Sequence, residues 1–453
     1  MKDLTRGPVM SHILQMAAVM VIGMIGQTLY YLVDLYFVSG LGPQPIAGVG
    51  AAGNIAFVVL ALTQILGVGT VALIAQAAGR KDQHDANVVF NQSLALSAVC
   101  GVAVLVAGYL LTRPYMRAIS ADSLMQSAGV TYLYWFLPGL ALQFGLVSMG
   151  SALRGTGIVR PTMTVQVVSV ALNVILAPIL IAGWGTGRPM GVAGAGLSST
   201  IAIVVGVLML TGYFERLEKY VGFHPAQWRP QLAYWKRILA IGLPAGGEFF
   251  VMFLMMVLMY GLIRRFGSDA QAGYGIGSRV MQAIFMPAMA VAFAAAPIAG
   301  QNFGARQAAR VRETFRAVVV LETGIMLVIT ALCQIAPGTL IAGFSTDARV
   351  IAVGTDFLRI ISWNFIASGI IFTCSGLFQA MGNTWPALLS GVSRLAIFAV
   401  PALWMSAQPG FRLEQLWHLS VATTLLQALI SYALVKAEMN KRLSNIATTP
   451  SPA

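Results

Sequence analysis

Charge is what this sequence has least of. Asp, Glu, Lys and Arg make up 9% of its 453 residues, and 58% are hydrophobic. A soluble domain carries roughly 25% charged residues. A soluble fold this apolar would have to expose its surplus to water, so lipid is the solvent that suits the chain. Cysteine is scarce too. Cys100, Cys333 and Cys374 are odd in number and each sits in an apolar run. That excludes a disulfide framework and a CxxC metal site, and leaves small buried side chains. No Walker A sequence occurs, so ATP is not expected as the direct energy source. No HExxH occurs, and His12, His84, His224 and His418 are scattered. Gly48-Val49-Gly50 and Gly67-Val68-Gly69 lie inside apolar runs, where they read as close helix packing rather than phosphate loops. No polar catalytic cluster is present, so an enzyme and an organic cofactor are not expected.

What is there is a series of apolar runs. A spanning helix needs ~20 apolar residues, because the hydrocarbon core is ~30 Å thick and a helix rises ~1.5 Å per residue. Twelve runs qualify: 11–37, 47–75, 88–112, 128–152, 161–183, 191–214, 237–262, 273–297, 314–336, 353–378, 386–406 and 415–437. The 47 glycines and 19 prolines suit membrane helices. The first run is too long for a signal peptide and is read as retained. The sequence predicts a disordered tail over 444–453.

The net charge of +13 does not indicate nucleic acid, because the basic residues sit in short clusters between apolar runs and form no continuous face. They do set an orientation. With the N-terminus cytoplasmic, eighteen of the 28 Lys and Arg fall in cytoplasmic segments and seven outside, with Arg279, Arg359 and Arg394 in or at the ends of spans. Both termini are therefore expected inside. The domain division expected is an N-terminal lobe (1–214), a cytoplasmic linker (215–236), a C-terminal lobe (237–440) and a cytoplasmic tail (441–453).

The halves repeat at one offset. Gln76-x-x-Gly79 and Gln301-x-x-Gly304 are 225 residues apart. So are Gly157-x-x-x-Pro161 and Gly382-x-x-x-Pro386, and so are Gly42, Ala47, Gly48 and Gly50 against Gly267, Ala272, Gly273 and Gly275. Three separate regions keeping one offset indicate duplication. Six spans per half make both halves enter the membrane in the same sense. The expected fold is an all-α integral membrane protein of twelve transmembrane helices in two six-helix lobes. The lobes form a parallel repeat with a pseudo-two-fold along the membrane normal, an arrangement common among transporters.

Several blocks resemble the multidrug and toxic compound extrusion (MATE) family, from about Pro8 to Lys436. They are Val33-Asp34-Leu35-Tyr36-Phe37-Val38 with Leu41-Gly42, Ala75-Gln76-Ala77-Ala78-Gly79, and Leu153-Arg154-Gly155-Thr156-Gly157 with Pro161. Asn173-Val174-Ile175-Leu176-Ala177-Pro178, Gly191 to Gly196, Gly242-Leu243-Pro244 and Gly300-Gln301-Asn302-Phe303-Gly304 complete the set. Each is weak alone; their order and spacing make the resemblance specific. It implies cation-coupled efflux of bulky, often cationic small-molecule drugs by alternating access.

Ionisable side chains deep in a span are functional candidates by default. Asp34 lies in the outer part of the first span, with Tyr30 and Gln27 four and seven residues earlier on the same face. A carboxylate there can bind a proton or sodium, and the resemblance implies a working aspartate at this position. Asn173 resembles that aspartate's partner. Ala177 stands where one family pattern has a second aspartate, which weakens the case for sodium. Ser199 or Thr200 remain as hydroxyl ligands for a sodium ion held with Asp34 and Asn173. Glu248, four residues after Pro244, falls near the midplane, where a neutral protonated form is expected. Met252, Met255, Met256 and Met259 follow on one face; the first three are candidates for a deformable substrate cavity with Gln27, against a plain packing role. Arg279 and Arg394 read as helix-end or interlobe ion partners, and Asp356 with Arg359 as a surface pair. In the repeat, Asp34 aligns with Met259 and Glu248 with Gly23, so the coupling chemistry is not duplicated.

The function expected is secondary multidrug efflux from a bacterial inner membrane, by a chain acting as a monomer. The coupling ion is H+, with Na+ as the alternative. The nearest rival is a lipid-linked saccharide flippase, which would need a strongly cationic cavity; an integral-membrane enzyme is the remote one.

Overall fold

The computed structural model describes residues 1–448, except the side chains at 27, 30–32, 34, 35 and 445–448. Helices are the regular secondary structure of the described residues, which include no strand. The helices are α1 Val9–Ser39, α2 Pro43–Gly79, α3 Gln83–Ile119, α4 Ser123–Gly155, α5 Arg160–Ile181, α6 Val192–Arg216 and α7 Leu232–Ile263. They continue with α8 Ser268–Gly304, α9 Ala308–Ile335, α10 Pro337–Ala342, α11 Ala348–Ile361, α12 Phe365–Met381, α13 Trp385–Ser406 and α14 Leu413–Thr448. Twelve stretches are long and apolar enough to cross a membrane, one for each expected run.

Three details differ from the sequence expectation. The tenth span is two helices, α11 and α12, joined by the 3-10 turn Ser362–Asn364. The apolar run continues through the turn, so hydropathy does not reveal it. The short α10 has Pro337 at its start. α14 runs on to Thr448, so the start of the expected tail is helical. Several helices also outrun their apolar segments. α2, α3 and α8 have 37 residues each, about 55 Å at 1.5 Å per residue, against a core of ~30 Å.

Capping sets the helix ends, and it repeats. Asp122 accepts from the Leu124 N–H to open α4, and Asp347 accepts from Arg349 and Val350 to open α11. Those aspartates are 225 residues apart. Gly42 (φ 106°) and Gly267 (φ 91°) precede α2 and α8 in a conformation that favours glycine. Among the described residues, the two non-glycine residues with positive φ, Lys81 and Arg306, are also 225 apart. The sequence repeat is thus a repeat of backbone geometry.

The chain divides into two compact units. The first holds Met1–Asp3 and Val19–Gly242; the second holds Leu4–Ala18 and the chain from Leu243 on. The boundaries inside α1 and α7 again lie about 225 residues apart. In the first unit α4 packs against α2, α3 and α6. A buried hydroxyl chain, Thr70–Ser93–Ser148, joins α2, α3 and α4 at 2.6 Å per link. The first turns of α7 press onto α2, where a Cβ on Gly242 would stand 1.9 Å from the Ile65 carbonyl oxygen. The second unit has an apolar core around Tyr274, Phe357 and Trp417, with ring centroids 4.9–5.6 Å apart. The Gln301-Asn302 motif ties down the chain start: Leu4 N–H donates to Gln301 Oε1 at 3.0 Å, and Asn302 Nδ2 donates to Leu4 O at 3.3 Å.

The expected linker is a bound strap. Amides on α3 hold it along its length. Asn87 accepts from Gly222 N–H at 2.9 Å, and Asn91 Oδ1 accepts from His224 N–H at 2.9 Å and Trp228 Nε1 at 2.8 Å. Gln92 Nε2 donates to Arg229 O at 2.8 Å, and its Oε1 accepts from Gln231 N–H at 2.9 Å.

Candidate functional site

Glu248 sits at the midpoint of α7, sixteen residues after Leu232 and fifteen before Ile263. Pro244 lies one turn earlier within the helix; it cannot donate to the carbonyl at position 240 and loosens the backbone there. Ser375 on α12 donates its hydroxyl to the Glu248 carboxyl, with Oγ 2.9 Å from Oε2 and 3.2 Å from Oε1. Gln379, one turn further on α12, donates to Ser375 Oγ at 3.4 Å. The α7 backbone comes close to α13 beside the acid, since a Cβ on Gly247 would meet Leu388 at 2.9 Å. A half-buried carboxyl thus sits midway along an apolar helix with one hydroxyl on it and an amide behind. Such a group can take up a proton and lose it again.

Ser375 and Gln379 are not among the expected residues. Their i,i+4 spacing makes a polar stripe on an otherwise apolar helix, which is a signal legible in the sequence. Glu322 is also absent from the expected set. It is a lone acid in the run 314–336, the same signal that marks Glu248. It lies wholly buried in α9, and neither carboxyl oxygen has a hydrogen-bond partner among the described residues.

Asp34, Tyr30 and Gln27 fall on α1, but their side chains lie outside the described residues. Asn173 on α5 is fully buried, and both its side-chain atoms lack a partner among the described residues. Ser199 is buried on α6, while Thr200 donates to the Trp135 carbonyl oxygen at 2.6 Å. An apolar cleft of about 410 Å3 lies between α1 and α5, lined by Leu29, Val33, Phe37, Val174, Pro178 and Trp184. The methionine stripe divides. Met252 and Met256 are exposed, Met255 packs against the second unit's core, and Met259 is buried in it. Residues three apart point about 60° apart on a helix, so one stripe straddles the edge of the core. Asp356 and Arg359 do not form an ion pair among the described residues; Arg349 instead reaches Asp269 at 3.7 Å. Arg279 is exposed. Arg394 is mid-helix in α13, and its buried Nε has no partner among the described residues.

The comparison with known proteins settles the family. The MatE family model matches residues 20–179 and 244–405, once in each half. The chain belongs to the MATE family of efflux transporters. It is 27% identical to the multidrug export protein MepA of Staphylococcus haemolyticus over 422 residues, which covers 89% of this chain and 88% of that one. It is 26% identical to MepA of Staphylococcus aureus over 434 residues, covering 93% and 92%. Among solved structures, a MOP superfamily transporter from Pyrococcus furiosus superposes with a TM-score of 0.88 at 25% identity, covering 99% of this chain and 98% of that one. An outward-facing multidrug resistance MATE transporter gives 0.90 at 24% identity, covering 97% and 98%. Twelve helices in two six-helix lobes are the architecture this chain shares with them, and it is a multi-pass membrane protein.

Proposed function

We propose that this protein exports bulky, often cationic organic compounds across a bacterial inner membrane in exchange for protons, by alternating access. The export proteins it resembles across most of its length support the substrate class. The single observation that carries proton coupling is Glu248, a half-buried carboxyl at the midpoint of α7 with Ser375 donating to it. An ionised carboxylate in apolar surroundings is unfavourable, and a proton removes the charge. Proton loading and substrate loading would favour different arrangements of the helices, which is what exchange requires. Asp34, with Tyr30 and Asn173 beside it in the pattern, is the corresponding candidate in the first half. Sodium at Asp34, Asn173, Ser199 or Thr200 is the competing coupling ion. The Lys and Arg distribution supports cytoplasmic termini, with 1–214 and 237–440 as the two lobes.

The test is ethidium accumulation in cells expressing the wild type, Asp34→Asn or Glu248→Gln, with and without a protonophore. Export by the wild type should stop with the protonophore, and both variants should accumulate ethidium at least ten-fold more than the wild type. Wild-type export that survives the protonophore and stops on sodium removal refutes proton coupling. Variants that export as well as the wild type refute the residue assignment.

A further inference from the structure

A second acid lies in the same half of the chain, and the site described above does not use it. Glu322 is the fifteenth of 28 residues in α9, so it is about 20 Å from either end at helical rise. Its side chain has no exposure, and neither oxygen has a hydrogen-bond partner among the described residues. The backbone of Ala292 on α8 lies beside it. On α12 the facing residue is Gly369: a Cβ there would stand 3.3 Å from Glu322 Oε2 and 3.2 Å from Met326 Cγ. The carboxyl therefore occupies the space that a side chain on α12 would otherwise fill.

Among the described residues no counter-charge reaches it. α10 and α12 carry no charged side chain, and the only titratable group on α12 is the Cys374 thiol, five residues from Gly369. The ionisable side chains of α8 are Asp269, Tyr274 and Arg279. All precede Ala292 by thirteen residues or more, roughly 20 Å along the helix. Arg349 on α11 is exposed and turned to Asp269, and Asp356 and Arg359 lie on that same helix without reaching α9's acid. On α14, Tyr432 meets Phe315, seven residues before Glu322, and carries Lys436 over its ring. Glu438 is paired with Arg442, while Glu414, His418 and Lys441 are exposed. On α9 itself Arg312, Glu313 and Arg316 are exposed, Arg310 is bound to Asn302, and Cys333 is eleven residues away.

We infer that Glu322 is a proton-binding site of this transporter, loaded in the conformation seen here and emptied only when α9 parts from α8 and α12. A carboxylate with no counter-ion, and with only the Ala292 backbone beside it, is strongly unfavourable in an apolar interior, so the group holds a proton when the helices are closed around it. A metal cation does not fit, because it needs several oxygen ligands and no cluster of three His, Cys, Asp or Glu is present among the described residues. When the helices part and water enters, the carboxyl O–H bond breaks. The proton passes to water and the electron pair stays on the carboxylate, which is then solvated. α12 joins this event to Glu248, since it presents Gly369 to Glu322 and Ser375 to Glu248. A shift of α12 alters both environments together. This deepens the proton-coupled reading and rests on it.

The test uses the full chain in proteoliposomes, with ethidium transport driven by an imposed pH gradient across a range of pH. It is paired with infrared difference spectra of the protein between acid and alkaline pH. Glu322→Gln keeps the shape of the protonated acid and should fold at least as stably as the wild type. It should lose gradient-driven transport at least ten-fold, and what remains should not vary with pH. Glu322→Asp should recover the pH dependence. The wild-type spectrum should contain a carboxylic-acid carbonyl band that Glu322→Gln lacks. A Glu322→Gln protein with the wild-type pH profile, or with every carbonyl band intact, overturns the inference. A wild type that ignores the pH gradient refutes proton coupling in general; the infrared band still decides whether Glu322 takes up a proton.

Discussion

Removing the Asn91 side chain should loosen the strap between the two halves without touching either acid. Asn91 is fully buried on α3, and its amide lies within hydrogen-bond distance of five groups. Its two Nδ2 hydrogens are shared among Asn87 O at 2.8 Å, Gly222 O at 2.9 Å and Gln227 Oε1 at 3.2 Å. Its Oδ1 accepts from His224 N–H and Trp228 Nε1 at 2.9 and 2.8 Å. Asn91→Ala deletes these contacts. A hydrogen bond contributes about 1 kcal/mol net, and a buried donor left unpaired costs about 1–3 kcal/mol. The strap partners are only part-buried, so water recovers some of that, and the net loss should be about 2–4 kcal/mol. Unfolding entropy of about 2 cal/mol/K per residue over 453 residues converts this to a Tm lower by roughly 2–4 °C. Asn91→Asp retains both acceptor contacts but sets a buried carboxylate oxygen against the three carbonyl oxygens that Nδ2 met, so it should lose at least as much. The assay is thermal unfolding in detergent, followed by tryptophan fluorescence. In parallel, trypsin should cut after Lys219, which is exposed at the start of the strap, several-fold faster in Asn91→Ala. If Tm and cleavage both match the wild type, Asn91 does not hold the strap.

Two further substitutions check the backbone. Gly242→Ala places a methyl 1.9 Å from the Ile65 carbonyl oxygen; since backbone cannot yield as a flexible side chain does, a loss of about 2 kcal/mol or more is expected in thermal unfolding. Lys81 holds φ 60° without being glycine, so Lys81→Gly should raise stability by up to about 1 kcal/mol by relieving left-handed strain. A fall in Tm would show that the lysine side chain matters more than its backbone.

Much of the architecture follows from the chain alone. Bilayer thickness and helical rise convert apolar runs into spans with few alternatives, and a duplicated sequence keeps its caps, prolines and left-handed turns at one offset. Glu248 was legible for the same reason, because an acid within an apolar run is costly to keep there unless it does something. Where each side chain lands among its neighbours is a different matter. The methionines of α7 share a stripe, yet only folding buries Met259 and leaves Met252 and Met256 exposed. The residues 215–236 read as a cytoplasmic linker; the amides of α3 that hold its residues 222–231 are more than 120 residues away in sequence and have no local signature.

The deepest difference concerns the two acids of the second half. Sequence places both Glu248 and Glu322 within apolar spans and makes them look alike. The tertiary structure alone sets Ser375 against one and Gly369 against the other, both from α12. Periodicity along a helix determines which residues share a face. The partner that face meets is decided by packing between helices distant in sequence. That packing gives one carboxyl a hydroxyl and leaves the other without a hydrogen-bond partner among the described residues.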